Sequence, residues 1–424
     1  MAALHAAPDM PNRPTMNAAT ERFASGAWLT SSLVTFTAAL MLAGTVAALA
    51  FLFLTATGTV DVLGRPLGTD FSSFWTAGRL SLAGQAPAAY DWATLSKLQQ
   101  ETHGVAGFAP WSYPPVFLLV ATALAALPYV PAFVVWQLSS LAAALVVFRR
   151  IVPGPRALLV ALGFPAVLIC LGHGQTGFLT AALLAGGVVA LGRSEALAGI
   201  LFGLLVYKPQ LGLLLPFVLA AGGYWRAFAT AGATVLACIG VTLAVWGWPV
   251  WQAFLDALPL IGGIAFEGGS TGFWKFQSAF SWMRMWGFPL DVAYGLQAVV
   301  SATVLIGCMW VWRAEVDLRL KGAALITGAL LCSPYMLDYD LVAFGMALAL
   351  LVSHGLEYGF RRWEKTALAL AWIMPLCAHE LARVSLLPIG FVVLLTVFGF
   401  VLMRVRRELP DAATRQLAAA LQAR

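Results

Sequence analysis

From Ala157 to Gly192 the chain carries no Asp, Glu, Lys or Arg, and apolar runs bounded by charges recur along its whole length. A helical crossing of a bilayer needs about 20 mostly apolar residues. Inside hydrocarbon the backbone must satisfy its own hydrogen bonds, so repeated runs of this kind fold as helices. Composition agrees: 61% of the 424 residues are hydrophobic and 10% charged, against about 25% charged in ordinary soluble domains. A soluble domain with one anchor is excluded. The expectation is an all-α, polytopic transmembrane bundle of about 11–13 helices. Spans are drawn at about 28–57, 131–148, 157–171, 176–192, 196–207, 211–223, 227–246, 291–312, 322–336, 341–353, 366–379 and 386–403. The first run exceeds a signal-peptide core and reads as a transmembrane helix.

The net charge of +6 reads as topology, with no nucleic-acid partner, because Lys and Arg gather on the cytoplasmic side of membrane proteins. One segment decides the orientation. "YPPVFLLVATALAALPYVP", residues 113–131, holds only about a dozen apolar residues between proline-bearing ends, below the span length. If it crossed, Arg149, Arg150 and Arg156 would fall outside and every later loop would invert. If it lies at the interface, 18 of the 25 Lys and Arg fall inside, a strong positive-inside bias. Pro114 and Pro115 also suit an interfacial helix start. The expected order is a cytoplasmic tail at 1–26, one transmembrane domain at 27–403 and a cytoplasmic tail at 404–424. Outer loops fall at 58–130, with interfacial helices, and at 247–290. The C-terminal stretch reads as a positive-inside stop signal, the alternative being an amphipathic surface helix.

On this topology the polar residues beside outer helix ends are functional candidates, since ionisable groups near hydrocarbon are expensive. Asp70, in "GTDFSSFW", stands before a helix-prone segment, where a helix cap is the bland alternative to chemistry. "GHGQTG" offers His173 and Gln175 between glycines that allow close backbone approach. "VYKPQLG" places Lys208 and Gln210 around a helix-interrupting proline, where a lysine either snorkels or holds an anion. "SPYMLDYDL" presents Tyr335, Asp338, Tyr339 and Asp340. Two carboxylates two residues apart do not share a helix face, so different jobs are expected of them, one orienting an acceptor sugar or pairing with Arg79 or Lys208. The loop containing Trp274 and Lys275 is rich in aromatic residues suited to a membrane belt or to stacking on sugar rings. His379 and Glu380 are a weak outer-side signal. The five cysteines lie singly in apolar runs and read as packing residues. No HExxH, Walker A or strand-following GxGxxG occurs, so neither a metal nor a nucleotide is expected. The energy must arrive in the substrate or from a gradient.

The order "GTDFSSFWTAGRLSLAGQAPAAYD", "WSYPPVFLLVATALAALP", "GHGQTGFLTAALL", "LAGILFGLLVYKPQLGLLLPFVL" and "SPYMLDYDL" resembles glycosyltransferase family 87 of the GT-C superfamily, over roughly residues 25–345. The resemblance implies an inverting transferase using a polyprenyl-phosphate sugar, mannose foremost, with a glycolipid or glycan acceptor. It places the site on the outer (periplasmic) face of the inner (plasma) membrane, with both termini cytoplasmic. It implies Asp70 as the catalytic carboxylate, with Lys208 matching the family's Lys-Pro element near the donor phosphate and Gln175 its Gly-Gln turn; Arg79, as a nearby cation, and His173, as a directional donor, are placed around the same phosphate. Tyr113, Gln210, Tyr335, Asp338, Tyr339, Asp340, Trp274 and Lys275 are then assigned to the acceptor or the sugar, and no cofactor is required. Some relatives carry histidine where this chain has Asp338 to Asp340. The alternative reading is a transporter or flippase of a lipid-linked sugar or small anion, since helices broken at polar residues also build transport sites.

Overall fold

The computed structural model describes residues 17–105 and 108–409. The proposed surface helix beyond Leu409 lies outside the described residues. Among these, all regular structure is helical, and strand pairing is limited to isolated bridges.

Ala18–Ser25 (α1) is capped by the Asn17 side chain and ended by left-handed Gly26. It lies in the stretch expected as a cytoplasmic tail, 1–26, and its residues are mostly exposed. The Trp28 indole donates to Thr366 Oγ1 at 2.8 Å, Glu21 pairs with Arg362 at 2.8 Å, and Trp363 N–H donates to Ala24 O. Ser31–Leu54 (α2) has 24 residues, about 36 Å at 1.5 Å per residue, enough to cross. The first loop then builds helices of its own: Phe71–Leu82 (α3), Trp92–His103 (α4) and Pro115–Ala125 (α5). Helix α5 packs on α3 so closely that a Cβ at Gly78 would lie 2.1 Å from Ala121 O. Tyr129–Ile151 (α6) follows. Both flanks of α5 are tied to the same end of the bundle, since Tyr113 bonds Gln175, Trp75 bonds Leu127 O and Tyr129 bonds Leu67 O. The segment 113–131 therefore does not carry the chain across, in line with the charge count.

Pro155–Leu162 (α7) and Pro165–His173 (α8) form one path bent by 57°. Gly177–Leu191 (α9) returns, followed by Glu195–Gly203 (α10), Pro209–Gly212 (α11), Leu215–Ala221 (α12) and Trp225–Trp246 (α13). The second loop holds Trp248–Leu260 (α14) and Ala279–Met285 (α15). Leu290–Arg313 (α16), Leu318–Cys332 (α17), Leu341–Tyr358 (α18), Glu364–Ile373 (α19), Ala378–Ser385 (α20) and Ile389–Glu408 (α21) complete the bundle.

Six helices are long and apolar enough to cross a membrane, or eight if each bent pair is one span. The chain is thus a multi-pass helical bundle. Several of the twelve drawn spans are shorter than a bilayer, and burial explains why. Helix α17 is buried without interruption from Leu320 to Cys332, and α9 nearly so. A helix surrounded by protein need not match lipid thickness. Helices α2 and α13, only 11% and 6% buried, stand on the outside and are full length.

Alternation along the bundle sorts its ends. Residues 65–70, 173–177, 204–209 and 333–340 gather at one, and 149–156, 193–195, 313–321, 354–365 and 404–408 at the other. Residues 404–408, expected at the start of a tail, belong to α21. Arg404 is 3% exposed, and its guanidinium bonds both Glu364 oxygens (2.5 and 2.6 Å) and His354 Nδ1 (2.9 Å). A buried arginine needs such partners, so α21 continues to Glu408.

Candidate active site at one end of the bundle

Two glycine turns make the centre possible. Gly68 and Gly174 both have left-handed φ, and a Cβ at Gly174 would lie 2.6 Å from Phe71 Cβ and 3.4 Å from Gly68 Cα. Without side chains there, the first loop meets the α8–α9 turn directly, and Asp70 N–H donates to His173 O at 3.0 Å. The Thr69 hydroxyl and His173 Nδ1 are 2.9 Å apart.

Asp70 stands at the N-cap of α3, yet its side chain makes no capping bond. Its Oδ2 accepts from Gln175 Nε2 at 2.9 Å and lies 3.9 Å from His173 Nδ1, while the Thr69 hydroxyl is 3.4 Å from Oδ1. The amide orientation of Gln175 follows from both its neighbours. Nε2 must face a carboxylate, which only accepts, and Oε1 takes the Tyr113 hydroxyl at 2.8 Å. Burial lifts the Tyr113 phenol well above its ordinary value, so it remains a donor at neutral pH. Gln175 is 6% exposed, whereas the Asp70 and His173 side chains are each 35% exposed. The two groups able to react or bind are the open ones, and their supports are buried.

Behind them, the Tyr339 ring lies 6.4 Å from the His173 ring and 4.9 Å from Lys208 Nζ. Lys208 and Asp340 form an ion pair at 2.5 Å, with side chains 7% and 2% exposed. Asp338 turns elsewhere, accepting from Tyr339 N–H at 2.9 Å and facing His379 Nδ1 at 3.6 Å. The two carboxylates thus have separate partners, as the spacing requires. The second loop is pinned beside them: Phe276 bridges Leu337, Gln277 N–H donates to Met336 O, and Ser278 Oγ donates to Pro334 O. This sets Trp274 and Lys275 on a turn packed against α20, which carries His379. Tyr335 belongs to a neighbouring group, touching the Tyr294 hydroxyl, which donates to Glu267, and the rings of Phe276 and Phe280.

Two expected site residues stay outside the cluster. Arg79 is exposed over the Trp75 ring, nine residues along α3 from Asp70, roughly 13 Å at 1.5 Å per residue. Gln210 is exposed on α11. Three further residues contribute, of which the sequence marked only His379, and that weakly. Thr69 positions His173, His379 faces Asp338, and His103 bonds Thr59 Oγ1 and Ser72 Oγ at 2.9 and 2.8 Å. Among the described residues, no three His, Cys, Asp or Glu are grouped to hold a metal ion.

Fold and site together define a multi-pass, all-helical membrane protein with a carboxylate-centred cluster at one end of its bundle. The chain belongs to glycosyltransferase family 87, whose model matches residues 111–334, just over half of its length. It is accordingly a membrane glycosyltransferase with a sugar donor and an acceptor, and the transporter reading gives way. No curated protein and no solved structure matches the chain. The matched stretch holds Tyr113, His173, Gln175, Lys208, Gln210, Trp274 and Lys275. Asp70, Arg79, Tyr335 and Asp338 to Asp340 lie outside it, so the resemblance traced over residues 25–345 is established for the central part. Asp70 joins that part through its bonds to Gln175 and His173.

Proposed function

We propose that this glycosyltransferase moves a sugar, mannose foremost, from a polyprenyl phosphate to a hydroxyl of a glycolipid or glycan, on the outer (periplasmic) face of the plasma membrane. Both termini are then cytoplasmic, the orientation that the positive-inside count over the sequence favours. One observation carries the reading: Asp70 is half-exposed, spends none of its carboxylate on capping α3, and is held by Gln175.

Asp70 acts as general base. It takes the proton of the acceptor hydroxyl as that oxygen bonds to the anomeric carbon, and the bond from that carbon to the phosphate oxygen breaks with its electrons leaving on phosphate. Attack from the face opposite the leaving group inverts the centre. Gln175, itself fixed by Tyr113, orients the base. His173, tied through Nδ1 to Thr69, offers its other nitrogen to the departing phosphate. Lys208 is compensated by Asp340, so it acts by fixing Asp340 and Tyr339 behind His173 and adds a screened field to the phosphate site. Trp274, Lys275 and the Asp338–His379 pair line the acceptor side. The C-terminal carboxylates and Tyr335 take no proton in this scheme, and no cofactor is used.

Asp70→Asn keeps the shape and removes the base. Reconstituted with a radiolabelled polyprenyl-phosphate sugar and acceptor, the variant is expected to fold normally and to lose transfer by at least about 100-fold. Unimpaired transfer overturns Asp70 as base. No release of polyprenyl phosphate by the unaltered enzyme overturns the donor class.

A further inference from the structure

Helix α2 lies on the flank of the bundle and packs closely at the α7–α8 bend, where a Cβ at Gly163 would lie 2.3 Å from Ala38 O. The N-terminal half of α2 and helices α6, α7, α18 and α19 line a crevice of about 790 Å³. The walls are hydrocarbon, from Leu33 and Phe148 to Met346 and Trp372, and carry no acidic residue. The charges on them are Arg156 and Lys365. Among the described residues neither has a carboxylate within ion-pair distance. The Lys365 ammonium rests over the Phe360 ring, itself part of the wall, at 5.2 Å.

This is not the donor-phosphate end. Helix α6 runs 23 residues from Tyr129, bonded to Leu67, to Ile151, roughly 34 Å, and Arg156 lies beyond it. Packed interiors leave few voids larger than a water molecule. An apolar one excludes water and forfeits dispersion contacts unless hydrocarbon fills it. At the membrane the filler at hand is an acyl chain. Two uncompensated cations at headgroup depth then select its head.

We propose that the crevice is a site for one anionic phospholipid, its chains between α2 and the bundle and its phosphate on Arg156 and Lys365, wedging α2 in place. The inference is independent of the transfer chemistry proposed for Asp70.

The test is native mass spectrometry of the full chain, delipidated and titrated with dioleoylphosphatidylglycerol or dioleoylphosphatidylcholine. The anionic lipid is expected to bind one per chain, about tenfold more tightly than the zwitterionic one. Arg156→Gln with Lys365→Gln should erase the preference, and Arg156→Lys with Lys365→Arg should keep it. Equal affinity for the two lipids overturns the proposal. So does a preference that survives the double glutamine variant or is lost in the charge-preserving one. Recovery of a polyprenyl phosphate as the tightly held lipid also overturns it, and assigns the crevice to the donor. The comparison of lipids on the unaltered protein decides even if a variant fails to fold.

Discussion

Asp70 and Asp91 occupy the same local position, the residue before a helix, and use their carboxylates differently. Asp91 caps α4, accepting from the Thr94 hydroxyl at 2.6 Å and Ala93 N–H at 3.2 Å, which holds its pKa below the usual carboxylate range. Asp70 gives its oxygens to Gln175 and, at 3.4 Å, to the Thr69 hydroxyl, and its side chain is 35% exposed. Gln175→Leu should leave the helices intact and lower kcat by about 10- to 100-fold with a smaller effect on KM, because it loosens the base without touching the donor. The Lys208–Asp340 pair behaves otherwise. Removing one partner strands a buried charge, so Asp340→Asn should cost about 3–5 kcal/mol in reversible unfolding. Replacement of both by apolar residues of similar volume should cost much less.

At the scale of elements, His103 ties together what the sequence shows as separate pieces. It sits at the end of α4, bonds Thr59 before α3 and Ser72 within α3, and packs its ring against Tyr129 of α6 at 4.7 Å. Burial pushes its pKa from 6.5 down to about 4. The unfolded loop therefore binds a proton that the folded loop refuses. The contribution to stability is complete above about pH 6.5 and is lost as pH falls towards 4. Hydrogen exchange of α3 and α4 should accelerate over that window, and His103→Gln should flatten the dependence. The same elements account for the short α5: both its flanks hold to one end, so its 11 residues never needed to span.

For the whole molecule, the sorting of polar clusters to one end and arginines to the other predicts accessibility. With accessible cysteines removed, a cysteine at exposed Lys97 should react with an impermeant maleimide in intact cells, and one at exposed Arg150 only after permeabilisation. The reverse pattern would invert the proposed orientation. Hydropathy determines the helical, membrane-spanning character well, because burial in lipid acts on every residue of a span and needs no knowledge of neighbours. Lengths were less legible. The sequence draws α9 and α17 as spans like the others, while their burial inside the bundle, which only packing decides, frees them from lipid thickness.

Sequence alone therefore determined an all-helical membrane bundle and the short segment at 113–131, and it singled out the glycine-flanked turn and the first-loop carboxylate as candidates. Those conclusions rest on local properties: apolar length, proline, glycine and the asymmetry of charge. Only the tertiary structure decided which groups meet. Gln175 reaches Asp70 across 105 positions and Lys208 reaches Asp340 across 132, Asp338 faces His379, and Arg79 stays down its helix. A side chain's partner depends on where its helix is packed, and no spacing along the chain carries that distance.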